Sequence, residues 1–137
     1  MELTDKVLSA REAMQYSPLT LAFLGDSVYE QLIREDIVLK ANTAVSKLHA
    51  ASTKKVCALF QSKAYDVILP YLDEDEVSVL KRGRNATGVS APKSASIIDY
   101  RRATAVECLF GFLHLTGRRE RIEELMKIIL SETKEDD

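Results

Sequence analysis

Two cysteines and two histidines in 137 residues leave little room for soft-metal or redox chemistry. Cys57 and Cys108 stand in apolar, helix-patterned stretches with no CxxC or histidine spacing that would suggest zinc, so two buried, reduced thiols are expected. His49 and His114 are isolated. The first reads as a helix-surface or packing residue, the second as a hydrogen-bonded core histidine. No run approaches the roughly 20 apolar residues of a membrane span. The N-terminus, MELTDKVLSAREAMQY, is amphipathic and charged rather than a signal sequence, which leads to the expectation of a cytoplasmic protein. Internal repeats and convincing strand alternation are both missing. The net charge of −2 gives no overall pull toward nucleic acid.

What remains is a chain of one-domain length with 46% apolar residues, enough for a core, reading throughout as helix. A first helix is predicted over about Asp5–Gln15. A second is capped by Ser17 with Pro18 in its first turn and runs to about Asp36. A third is capped at Asn42 or Thr43, with Val45, Leu48 and Ala51 turned inward. A stretch carrying Val56, Leu59, Phe60, Tyr65, Ile68 and Leu69 follows in two pieces. Asp73 caps a short helix ending at Gly83. The run Asp73-Glu74-Asp75-Glu76 resembles a metal site but suits the positive end of a helix dipole better. Arg84 to Ser96 is the one clear loop. A long helix begins near Asp99 and stops at Gly117. The last helix uses Ile122, Leu125, Met126 and Ile129. Residues 132–137 form a polar, fraying tail.

Two acids break this apolar pattern. In LAFLGDSVYE, Leu21, Leu24, Val28 and Leu32 mark one face, while Asp26 falls among Leu19, Ala22, Phe23 and Ile33. A helix apolar nearly all round is usually buried, and a buried carboxylate is costly unless paired or metal-bound. In RRATAVECLFGFLHLTG, a narrow stripe of Thr104, Glu107, Gly111 and His114 interrupts an otherwise apolar helix, and Gly111 leaves room one turn from Glu107. If these helices pack together, Asp26 and Glu107 can jointly hold a hard divalent cation such as Mg2+. Charge is also uneven. Lys81, Arg82, Arg84, Lys93, Arg101 and Arg102 against Asp99 make that segment +5 and the remainder −7. Such a segment suits phosphate contact.

These motifs resemble a known family. LAFLGDSVYE is similar to the signature helix of ribonuclease III endonuclease domains, and TAVECLFGFLHLTG to their second acidic helix. VLKRGRNA resembles the bacterial branch called Mini-ribonuclease III, in which the catalytic domain lacks a double-stranded-RNA-binding partner domain. The similarity runs from about Ser17 to Ser131. It implies a single all-α domain of ribonuclease III type, acting as a homodimer. The implied reaction is metal-dependent hydrolysis of double-stranded RNA, leaving 5′-phosphate and 3′-hydroxyl ends. The Mini branch matures the ends of 23S ribosomal RNA, so a ribosomal RNA precursor is the expected substrate.

By the same resemblance Asp26 and Glu107 are the catalytic, metal-holding acids, with Mg2+ or Mn2+ as cofactor. Two further acids of the larger relatives are replaced here by Ala22 and Thr104. Glu30, one turn after Asp26, is a candidate for a further ligand oxygen and equally an ordinary charged position. Lys81, Arg82, Arg84 and Lys93, with Arg101 and Arg102, are the expected phosphate contacts. Two other classes compete. One is a catalytically silent RNA-binding module of the same fold. The other is a helical protein-interaction domain in which the acids pair with Arg34, Arg101 or Arg102.

Overall fold

The computed structural model describes residues 6–86 and 96–135. Asp5 and Lys93 therefore lie outside the described residues. Seven α-helices follow in order: α1 Ala10–Ala13, α2 Pro18–Lys40, α3 Val45–Val56, α4 Ala58–Ile68, α5 Glu74–Arg84, α6 Ile97–Leu115 and α7 Arg119–Glu132. A 3-10 turn, Leu69–Tyr71, joins α4 to the approach to α5. No strand occurs among the described residues. The all-α expectation holds.

The architecture is organised around α6. From Ala103 to Leu113 every residue but Glu107 is buried, because α2, α4 and α5 pack against it from different sides. This explains why the sequence of α6 is apolar nearly all round. α7 closes the bundle with the predicted face of Ile122, Leu125, Met126 and Ile129, all buried. Gly117, at φ 70°, ends α6 in the left-handed conformation expected of a helix-stopping glycine.

Several boundaries differ from expectation. The N-terminal amphipathic stretch makes a single helical turn rather than a helix over Asp5–Gln15. The Leu8 amide donates to the Leu115 carbonyl (2.8 Å), which holds that segment against the end of α6, and a Ser9–Glu12 capping box starts α1 only afterwards. Neither Asn42 nor Thr43 caps α3. Ala44 stands at its N-cap without a side-chain bond, and Val45 faces outward, 66% exposed. The cap of α6 is Ser96, whose Oγ accepts from the Asp99 amide at 3.0 Å, so Asp99 lies in the first turn. α2 runs one turn beyond Asp36, to Lys40.

The acidic run at residue 73 behaves as a cap, as expected. The Asp73 carboxylate accepts from the Glu76 amide and the Glu76 carboxylate from the Asp73 amide. Glu76 has a second role that its spacing gave no sign of. It is 1% exposed and accepts two hydrogen bonds from Arg121 of α7, each 2.8 Å. Arg121 also donates to the Tyr71 carbonyl (2.7 Å), locking α5, the 3-10 turn and α7 together.

Candidate active site at the crossing of α2 and α6

Helices α2 and α6 approach so closely that only glycine fits at the contact. A Cβ built on Gly25 would lie 1.6 Å from the Glu107 carbonyl oxygen, and one on Gly111 would lie 2.0 Å from the Leu21 carbonyl oxygen. Gly111 thus does not leave open room for a ligand, as the sequence suggested. The backbone of α2 fills that space, and the glycine pair brings the two chains of peptide groups together. The residue after Gly25 is Asp26, and the crossing sets it beside Glu107.

The two acids meet, but their burial differs from expectation. Asp26 is exposed, because Phe23, expected to cover it, is itself 85% exposed. The apolar character of α2 on two sides reflects one face packed in the bundle and another, with Phe23, Val38 and Leu39, facing outward. Glu107 is the more enclosed of the two. Burial, the negative charge of Asp26 and a hydrogen bond with Asp26 push its carboxyl up to about 8, against a partly offsetting hydrogen bond from Gln61. Desolvation and like charge both disfavour the ionised form.

Neither acid forms an ion pair with an arginine among the described residues. Arg34 sits 3.8 Å from Glu30, and Arg102 binds Asp66 at 3.1 Å while lying over the Tyr65 ring. Arg101 is exposed. The contacts required by the protein-interaction alternative are therefore not made. Glu30 is turned to Arg34, and no cluster of three or more His, Cys, Asp or Glu side chains able to hold a metal forms among the described residues. Two carboxylates suit Mg2+, a hard cation that keeps several waters when few protein oxygens bind it. Thr104, one turn before Glu107, directs its hydroxyl to the Tyr100 carbonyl (3.0 Å).

The site has a third wall. Gln61 of α4, 3% exposed, donates from Nε2 to Glu107 Oε2 at 3.5 Å. Tyr29, one turn after Asp26, is buried edge-on against Phe110 and donates to the Lys55 carbonyl at 2.7 Å, anchoring the end of α3 beside the site. Sequence reading passed over both. Gln61 looked like an ordinary polar position. The lysines near it fell outside the segment singled out for charge, although from Ile37 to Tyr65 there are five lysines (40, 47, 54, 55 and 63) and no acid.

The predicted basic residues divide into two kinds. Lys81 and Arg101 are exposed. Arg82 is bound to the Tyr16 carbonyl (3.2 Å), and Arg84 to the Tyr65 hydroxyl (3.2 Å) and Asn85. Cys57 and His114 are exposed rather than buried. Cys57 occupies the kink between α3 and α4, and His114 lies on the outer side of the last turn of α6. Cys108 is buried, as expected.

Residues 19–118 match the family model of the Ribonuclease III domain. The chain belongs to the ribonuclease III domain family. Within that family it is a Mini-ribonuclease 3 relative. It is 44% identical to the Mini-ribonuclease 3 of Brevibacillus brevis over 111 residues, which cover 81% of this chain and 83% of that one. It is 43% identical to that of Clostridium tetani over 122 residues, or 88% and 81% of the two chains. A crystal structure of a protein from Fusobacterium nucleatum superposes with a TM-score of 0.78 at 33% identity, covering 85% of this chain and 94% of that one. Family membership makes this chain an endoribonuclease of the ribonuclease III type. The paired acids Asp26 and Glu107 lie within the matched region. No helix among the described residues is long and apolar enough to cross a membrane.

Proposed function

We propose that this endoribonuclease hydrolyses double-stranded RNA at a divalent-cation site held by Asp26 and Glu107, with Mg2+ as cofactor and Mn2+ able to replace it. The observation that carries the proposal is the meeting of two carboxylates from different helices at the glycine crossing of α2 and α6, where burial and the charge of Asp26 raise the pKa of Glu107. When bound, the cation supplies a water of lowered pKa and stabilises charge at the phosphorus. Asp26 and Glu107 would hold it through their carboxylates. A water oxygen would bond to phosphorus as the bond to the 3′ oxygen breaks, the water's proton passing to that oxygen, leaving 3′-hydroxyl and 5′-phosphate ends. In line with the resemblance to the Mini branch, the substrate is a 23S ribosomal RNA precursor in the cytoplasm.

Duplex RNA is recognised mainly through shape and backbone, so the surface around the site must offer cations rather than base-reading side chains. Lys81 and Arg101 supply them from α5 and α6, and Lys54 from the end of α3, where Lys55 is paired with Glu135 at 3.7 Å. Arg82, Arg84 and Arg102 contribute field while tied to protein acceptors. The open face of α2 supports a homodimer. Phe23, Val38 and Leu39 are 85%, 58% and 86% exposed, and Glu30 and Arg34 lie between them. A two-fold axis there would bury the apolar residues and let opposite charges face one another across it.

The test is incubation of the purified chain with long duplex RNA, with and without Mg2+. Asp26→Asn and Glu107→Gln keep side-chain volume and are expected to abolish cleavage while leaving helicity and RNA binding in place. Cleavage at near wild-type rate by either variant in saturating Mg2+ would overturn the site assignment. Normal RNA binding with no cleavage by wild type at any Mg2+ or Mn2+ concentration would favour the silent module.

A further inference from the structure

Gln61 is hard to explain as packing. It sits on the side of α4 that carries Phe60, Ala64, Tyr65 and Ile68, all buried, and is itself 3% exposed. A buried amide costs free energy unless its polar atoms find partners, so an aliphatic side chain would serve packing better. The partner Gln61 finds is Glu107 Oε2, at 3.5 Å. Apart from Asp26 itself, the neighbouring positions on α2 and α6 offer Glu107 no such bond. Ala22, one turn before Asp26, has no polar atom, and Thr104, one turn before Glu107, is bonded back to its own helix.

We propose that Gln61 is a positioning residue for Glu107: from a third helix, its amide fixes the carboxylate orientation that Asp26 and Glu107 need to share one divalent cation. This deepens, and rests on, the cation-site reading above. The bond runs from Gln61 Nε2 on α4 to Glu107 Oε2 on α6 at 3.5 Å, so the amide restrains the carboxylate from a helix to which neither acid belongs. Hydrogen-bond partners of this kind orient ligands that have few companions of their own.

The experiment uses the full-length purified chain with Mn2+ as probe. Mn2+ affinity is read by electron paramagnetic resonance without RNA, alongside melting temperature and steady-state cleavage. Gln61→Met, which keeps length but removes the donor, is expected to fold and to bind duplex RNA with unchanged KM. Its Mn2+ affinity and its kcat are each expected to fall roughly 10-fold. Gln61→Glu, which places a third carboxylate at the same point, is expected to bind Mn2+ more tightly than Gln61→Met. If both variants bind Mn2+ within two-fold of wild type, Gln61 is a packing residue and the proposal fails. Should Gln61→Met not fold, Gln61→Glu decides alone, and an unchanged Mn2+ affinity overturns the proposal. Glu107→Gln separates the two levels. If it binds Mn2+ as wild type does, the cation site itself is misassigned. If it loses Mn2+ while Gln61→Met keeps it, only the role of Gln61 falls.

Discussion

Replacing Glu107 by glutamine exchanges an ionisable carboxyl for a neutral amide of nearly the same volume, and its effect on stability follows from the site's electrostatics. The Glu107 carboxyl is pushed from its ordinary 4.5 to about 8, by burial first and by the charge of Asp26 second. A carboxyl whose folded value is raised binds its proton more tightly in the folded state. The associated stability is fully present below pH 4.5 and is lost as pH rises through 8. Each unit corresponds to about 1.4 kcal/mol, so the whole window sets an upper bound of about 5 kcal/mol. Glu107 retains partial contact with solvent, and screening reduces the working figure to about 2–3 kcal/mol. For a domain of this size that is roughly 6–10 °C in melting temperature.

The assay is thermal or urea unfolding of both proteins from pH 5 to 9 in the presence of EDTA. Near pH 5 the two are expected to match. As pH rises, wild type is expected to fall below Glu107→Gln, with most of the gap open by pH 9. Taking the difference removes titrations common to both proteins. Mg2+ or Mn2+ then supplies the opposite sign. At a hundred times its Kd a cation stabilises wild type by about 2.7 kcal/mol, closing the gap, and leaves the variant unchanged. Stability curves that stay parallel from pH 5 to 9 would refute the claim that Glu107 is held protonated by its surroundings.

The remaining predictions concern what holds the site in place and what surrounds it. Gly25→Ala drives a methyl group into the Glu107 carbonyl. It is expected to cost more than the usual ~1–3 kcal/mol of overpacking and to lose cation binding, read by urea melts and Mn2+ titration. Arg121→Ala leaves the 1%-exposed Glu76 without its partner and is expected to lower stability by about 3–5 kcal/mol. In the protein that remains folded, cleavage per molecule is unchanged. Phe23→Asp places a charge on the open face of α2 and is expected to yield monomers in sedimentation equilibrium, and dimers at wild-type affinity would discard that face as the interface. Neutralising Lys81 and Arg101 together is expected to weaken duplex binding independently of sequence and to flatten the salt dependence, measured by filter binding across a salt series.

Some parts of this molecule were readable because a local rule and the tertiary structure agree. Ser17-Pro18, the Asp73–Glu76 box and Gly117 are local signals, and each starts or stops a helix where it was expected. Other signals failed where tertiary contacts overrode them. The N-terminal periodicity is helical over about three times the length that folds as helix, because Leu8 is hydrogen-bonded to Leu115 instead. The acid pair belongs to a third category. Asp26 drew attention as a buried charge, yet it is exposed, and the enclosed acid is Glu107. Apolar residues on two sides of α2 carry two different meanings, one an internal face and the other an open one, and composition alone does not separate them. The crossing itself was marked in the sequence only by Gly25 and Gly111; Gly111 reads there as open room beside Glu107, and Gly25 as no more than part of its motif. Gln61 was silent for a different reason: a single amide among apolar residues has no period, and its meaning depends on Glu107, 46 residues away. A site built from three helices is therefore visible in sequence only in the residues that violate their own helix's pattern. The carboxylates do so conspicuously, whereas the group that orients one of them does not.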